Sequence, residues 1–194
     1  MTVPFVLASA SPRRLALLQQ IGRPPEVVAP ANVDEHARPG EPPARLALRL
    51  ALAKAIAAAA EHPAALILAA DTVVACGRRI LPKAETEREA RDCLALLSGR
   101  RHRVYGGIAL RAPDGKLWQR NVQTAVKFAR LSDAEIAAYI ATGEWQGKAG
   151  GYAIQGRAGA YIAAVNGSYT NIVGLCIHTV WKLLLDGNAY VGRA

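Results

Sequence analysis

The chain has 194 residues, 52% hydrophobic and 20% charged, with a formal net charge of +9. That mixture excludes a disordered chain, and no apolar run reaches the roughly 20 residues that a membrane-spanning helix needs. Excess Lys and Arg favours polyanionic partners, whether nucleic acid, anionic lipid or phosphorylated small molecules. Cys76, Cys93 and Cys176 are odd in number and far apart, which fits neither a disulfide framework nor paired zinc ligands. An apolar stretch ahead of Pro12-Arg13-Arg14 reverses the order of a secretion signal, so the expected compartment is the cytoplasm. Length, and the lack of a repeat or linker, point to one domain over residues 1–194.

Val3 to Ala8 reads as a short buried strand. Ser11 then suits an N-cap with Pro12 at the first helical position, and Leu15, Leu18 and Ile21 continue at helical spacing until Gly22. A strand that feeds a helix N-terminus through Ser9, Ala10 and Ser11 exposes backbone N–H groups to an anion, with Arg13 and Arg14 placed to add charge. Arg45 to Ala60 is long and alanine-rich, which favours helix over the alternation of its leucines. On that helix Leu46, Leu50 and Lys54 share a face, so the Lys54 ammonium is aimed at the core boundary.

Ala64 to Ala70 is an uninterrupted apolar run, the pattern of a buried strand, and it ends at Asp71. Glu85 to Leu97 reads as an amphipathic helix closed by Ser98-Gly99. Val104 to Leu110 and Leu117 to Phe128 follow as two strands joined by a turn at Pro113-Asp114-Gly115. Ser132-Asp133-Ala134-Glu135 is a capping box for a helix ended by Gly143. A glycine-rich stretch from Lys148 to Gly159 leads to a strand at Tyr161–Val165, a turn at Asn166-Gly167 and a last helix at Ile177–Leu185. Strands and helices alternate without a strict βαβ rhythm, which predicts a mixed rather than a parallel sheet.

The chain lacks a Walker P-loop, an HExxH motif and a Gly-x-Ser-x-Gly elbow. His36, His62, His102 and His178 share no ligand spacing and read as structural or surface residues. What remains is a set of cations (Arg13, Arg14, Lys54, Lys83, Lys148) and carboxylates (Asp34, Glu35, Asp71) at element ends. A phosphoanhydride hydrolase needs that mixture: cations hold polyphosphate, carboxylates hold a divalent ion, and one carboxylate takes a proton from water. Taken alone, Asp71 fits a helix cap or a salt bridge equally well, and Lys54 fits a snorkelling lysine.

Wording and order go further. Leu7-Ala8-Ser9-Ala10-Ser11-Pro12-Arg13-Arg14 resembles the N-terminal signature of Maf-family nucleotide pyrophosphatases. Asp34-Glu35, Arg45-Leu46-Ala47 with Lys54-Ala55, and Ala70-Asp71-Thr72-Val73-Val74 continue the likeness. So do Leu97-Ser98-Gly99-Arg100, Lys148-Ala149-Gly150-Gly151-Tyr152-Ala153-Ile154-Gln155-Gly156, Gly167-Ser168-Tyr169-Thr170-Asn171 and Val173-Gly174-Leu175. The resemblance spans nearly the whole chain.

It implies an α/β fold: a central mixed, twisted sheet flanked by helices, in two lobes with an active-site cleft, as in inosine triphosphate pyrophosphatases. It implies hydrolysis of nucleoside triphosphates to monophosphate and pyrophosphate with Mg²⁺ or Mn²⁺. Asp71 matches the catalytic aspartate, and Arg13, Thr72 and Gln155 match the substrate-selecting positions of the branch acting on dTTP, UTP and related, modified pyrimidine nucleotides. Ser9, Arg14, Lys54 and Lys83 are the further substrate-binding candidates. Glu35 is the first candidate metal ligand and Asp34 the second. A homodimer is the family expectation. The same chemistry on 7-methyl-GTP or another purine is one alternative reading. A non-enzymatic nucleic-acid-binding or division-regulating protein is another, disfavoured because aromatic content is only 6% and no basic stripe with interleaved aromatics appears. The chain departs from the family wording at Pro82-Lys83-Ala84, at Gly147 (commonly Asp) and at Cys176 (commonly Pro).

Overall fold

The computed structural model describes residues 3–187 and Tyr190. In chain order the strands are β1 (Phe5–Leu7), β2 (Val27–Val28), β3 (Leu66–Cys76), β4 (Arg79–Leu81), β5 (Lys83–Ala84), β6 (Arg101–Arg111), β7 (Leu117–Phe128), β8 (Lys148–Ala149) and β9 (Ile162–Asn166). The helices are α1 (Pro12–Gln20), α2 (Pro43–Glu61), α3 (Glu87–Leu97), α4 (Asp133–Ile140), α5 (Tyr169–Val173) and α6 (Ile177–Asp186), with a 3₁₀ turn at Arg157–Tyr161. One sheet runs β2-β1-β3-β6-β7-β9, with β4 also paired to β3. β1 is parallel to β2 and β3, while every other pairing is antiparallel, so the sheet is mixed as the sequence rhythm predicts. β5 and β8 form a separate antiparallel ribbon.

Alternation of side chains along the strands assigns the two faces. Val6, Ala8, Ile67, Ala69 and Ala109 pack against the alanines of α2, namely Ala51, Ala55, Ala58 and Ala59. Phe5, Leu7, Leu66, Leu68 and Ala70 face the other way, into a larger core shared with α1, α3, α4 and α6. Small side chains on α2 let its backbone lie close to the strands. The closest approach is at Gly107 of β6, where a Cβ atom would stand 2.1 Å from the Ala47 carbonyl oxygen. Gly107 pairs with Asp71, so the helix is pressed onto the sheet beside that carboxylate.

Two helices start as local chemistry dictates. Ser132 and Glu135 form the expected capping box on α4, and Thr86 and Glu89 form another on α3. Ser11 is the N-cap residue of α1 with Pro12 behind it, but its side chain makes no cap hydrogen bond. β3 corrects the sequence reading: the strand does not end at Asp71 but runs five residues further, to Cys76. Asp71 therefore lies in mid-strand, in the centre of the sheet. Val73, Val74 and Ala75 continue the buried strand beyond the polar pair, and pairing with β4 and β6 on either side satisfies the backbone.

Candidate active site

Four segments converge beside the middle of β3. The β1–α1 turn brings Ser9, Arg13 and Arg14, and the loop between β2 and α2 brings Glu35. α2 brings Lys54, and the ribbon with the glycine-rich loop after it brings Lys83, Lys148 and Gln155. Together with Asp71 and Thr72 they line one cleft of about 440 Å³. The catalytic, substrate-binding and first metal candidates read from the sequence thus share it with Lys148, while Asp34, the second metal candidate, does not line it. Asp34 is exposed and held by His36, whose Nδ1 lies 2.6 Å from Oδ1. Hydrogen bonds from the backbone and ring of His36 hold the Asp34 carboxyl below its usual range.

Five cationic side chains (Arg13, Arg14, Lys54, Lys83, Lys148) face two carboxylates (Glu35, Asp71) in this cleft. Lys54, 7% exposed, is the hub. Its Nζ donates to Asp71 Oδ1 at 2.6 Å and reaches Glu35 Oε1 at 2.5 Å. Lys83 closes the chain on the other Glu35 oxygen. Burial pushes the Glu35 carboxyl up, but hydrogen bonds from Lys54 and Lys83, with their charges, outweigh it and hold it down at about 2. Asp71 Oδ2 makes no hydrogen bond among the described residues and is not sealed from the cleft. A water at that oxygen could give up a proton to it.

Asp71 and Thr72 adjoin in sequence but project from opposite faces of β3. Asp71 turns toward α2 and Lys54; Thr72 turns toward Arg14 and the α5–α6 junction. Arg14 is buried and largely committed to the scaffold. Nε donates to Gly174 O at 2.9 Å, Nη1 to Ser9 Oγ at 2.9 Å and Nη2 to Thr72 Oγ1 at 3.2 Å. It ties the β1–α1 turn, β3 and α5 together, a positioning role that its place in the sequence motif does not reveal. Burial lowers its pKa and that of Arg13, whose Nε donates to Val173 O at 3.2 Å. Among the described residues the two Nη atoms of Arg13 make no hydrogen bond, and a forked guanidinium end of this kind suits a phosphate.

Gln155 is exposed to the cleft and its amide makes no hydrogen bond among the described residues. Its neighbours are anchored instead: Ala153 N–H donates to Tyr139 Oη at 2.9 Å, and Arg157 N–H to Glu144 Oε2 at 2.8 Å. A free amide on a held loop is suited to reading a hydrogen-bonding edge. Lys148 was visible in the sequence as a cation opening the glycine-rich stretch, but only the β5–β8 pairing shows that it shares the cleft with Lys83.

The donor set suits a small, hard divalent ion. Among the described residues no three His, Cys, Asp or Glu side chains gather into a cage. Glu35 and Asp71, however, each put an oxygen within 2.6 Å of one ammonium nitrogen, so both carboxylates converge on a single cationic position. One or two carboxylates, completed by phosphate oxygens and water, are the ligands Mg²⁺ ordinarily takes in nucleotide sites.

The "Maf-like protein" family model matches residues 4–186. A dTTP/UTP pyrophosphatase of Paramagnetospirillum magneticum is 64% identical over 183 residues, covering 94% of this chain and 96% of its own length. A dTTP/UTP pyrophosphatase of Maricaulis maris is 60% identical over 183 residues, covering 93% of this chain and 86% of its own. Among solved structures, the Ham1 protein of Staphylococcus aureus aligns with a TM-score of 0.46 at 18% identity, over 64% of this chain and 71% of that one.

Proposed function

The chain belongs to the Maf-like protein family, and from that premise we propose that it hydrolyses dTTP and UTP to the monophosphate and pyrophosphate. The observation that carries this reading is the single cleft in which five cations, two carboxylates and the unengaged Gln155 amide meet. A nucleoside triphosphate has the matching parts: a polyanionic tail, a reacting phosphorus and a base edge.

In this reading the pyrimidine lies against Gln155, whose donor and acceptor match the adjacent carbonyl and N–H of uracil or thymine. Arg13, Lys83 and Lys148 draw the phosphate chain into the cleft, and Lys54 holds a phosphate oxygen beside Asp71. Water attacks the α-phosphorus, and Asp71 Oδ2 accepts its proton. The bond from the α-phosphorus to the bridging oxygen breaks, and pyrophosphate departs with its charge spread over the cations. Glu35 and Asp71 would hold a Mg²⁺ or Mn²⁺ ion. When bound, such an ion neutralises phosphate charge and polarises the reacting phosphoryl group. Arg14 and Ser9 support the turn that presents Arg13. A homodimer and a cytoplasmic location accompany this reading.

Pyrophosphate release from dTTP, UTP, CTP, dATP and 7-methyl-GTP tests it. UTP and dTTP should give the highest kcat/KM. Fastest turnover of 7-methyl-GTP would transfer the chain to the purine reading, and salt-sensitive nucleic-acid binding without turnover would refute an enzymatic role.

A further inference from the structure

His102 lies in β6, away from the cleft, and is 1% exposed. Its Nε2 pairs with the Tyr152 hydroxyl at 2.8 Å. Tyr152 is itself buried, and its ring stands edge-on to His102 at 5.5 Å and to Phe128 at 5.0 Å. From there Tyr152 forms part of the cleft wall, three residues before Gln155. We infer that His102 is a positioning residue for nucleobase selection: its hydrogen bond fixes the Tyr152 ring and thereby the loop that presents Gln155.

Stability does not account for this pair. His102 Nδ1 is buried with no partner among the described residues, so the imidazole leaves one ring nitrogen unmet. Burial also holds its pKa down at about 4, which keeps the ring neutral at ordinary pH. The bond between Nε2 and the Tyr152 hydroxyl forms in either tautomer of the neutral ring, with the ring or the hydroxyl as donor. Replacing both partners of such a pair by apolar groups of the same shape is close to neutral for stability. What apolar groups cannot supply is direction. The edge-on aromatic contacts carry no directional demand on the Tyr152 hydroxyl, whereas a 2.8 Å hydrogen bond sets where that end lies.

The loop needs such a fixed point. Gly150 and Gly151 turn the chain at φ +73° and +69°, conformations that side chains rarely adopt, and Gly151 is pressed against Ala90 and Cys93 of α3. From that turn onward the loop is held by Tyr152 on His102, Ala153 on Tyr139 and Arg157 on Glu144. Gln155 contributes no anchor of its own, so its position follows from theirs.

The inference rests on the proposed reading of the base by this loop, and the test separates the two. The double variant His102→Leu/Tyr152→Phe is compared with Gln155→Ala and the wild type for melting temperature and for kcat and KM on UTP and CTP. The double variant should keep the melting temperature within a few degrees. Its preference for UTP over CTP should fall about tenfold, mainly through a higher KM for UTP, the equivalent of about 1.4 kcal/mol. Gln155→Ala should show the same loss. Lost preference in the double variant but not in Gln155→Ala would keep His102 as the positioning residue and assign base reading to another group on the loop. An unchanged preference in the double variant, or a loss of kcat equal on both nucleotides, would overturn the inference whatever Gln155→Ala shows.

Discussion

Gly107→Ala tests whether the close seating of α2 sets the catalytic geometry. The added Cβ would stand 2.1 Å from Ala47 O, 2.3 Å from Ala47 C and 2.6 Å from Leu48 N, all backbone atoms that cannot rotate away. Ordinary contact begins near 3.4 Å, so helix and strand must part by 1.3 Å at this point. Lys54 lies two turns along the same helix, and Asp71 is the residue paired with Gly107. Whichever element gives way, the 2.6 Å bond between Lys54 and Asp71 is disturbed. Overpacking of this kind costs about 1–3 kcal/mol, roughly 2–12 °C in melting temperature for a chain of this size. Misplacing a catalytic group by about 1 Å can cost on the order of 100-fold in rate. The assay is pyrophosphate release from UTP beside a melting curve, with Leu183→Ala as the control. That variant opens a cavity under α6 and costs about 2–5 kcal/mol without touching α2. Gly107→Ala should lose far more rate than Leu183→Ala at equal or smaller loss of stability. Equal rate losses would show that α2 seating does not position Lys54.

Asp71→Asn should lower kcat by about 100- to 10,000-fold while nucleotide binding survives in a fluorescence titration; a variant above a tenth of the wild-type rate removes Asp71 as the proton acceptor. Glu35→Gln should raise the Mg²⁺ concentration needed for half-maximal rate, and an unchanged titration would remove Glu35 as a ligand. The same variant has a pH signature. The Glu35 carboxyl is held at about 2 in the folded protein against 4.5 for the free group. Its contribution to stability is therefore full above pH 4.5 and lost as pH falls toward 2. The stability difference between wild type and Glu35→Gln should shrink over that window in pH-dependent melting, and a constant difference would contradict the ion pairs with Lys54 and Lys83.

Periodicity and motif order carried much of this architecture. The apolar run before Asp71, the alanine-rich helix with Lys54 on its buried face and the capping box at Ser132 all correspond to elements of the fold. The extent of β3 did not show, because a polar Asp-Thr pair imitates a strand end. Only Lys54, 17 residues away in sequence, gives a mid-sheet carboxylate its partner. The ribbon of β5 and β8 was illegible for a different reason: two-residue strands have no period, and pairing across 64 residues of chain leaves no local trace. Arg14 reads in sequence like Arg13, as a cation at a helix N-terminus. The register of α1 decides that Arg14 turns into the scaffold while the end of Arg13 remains at the cleft.

The central claim is that water attacks the α-phosphorus of a pyrimidine nucleoside triphosphate beside Asp71. Hydrolysis of UTP in ¹⁸O-labelled water, with the products separated and weighed by mass spectrometry, tests it most directly. The label should enter UMP, with unlabelled pyrophosphate released in equal amount. Label in pyrophosphate would place the attack on the β-phosphorus, and UDP with labelled orthophosphate as primary products would contradict the account altogether.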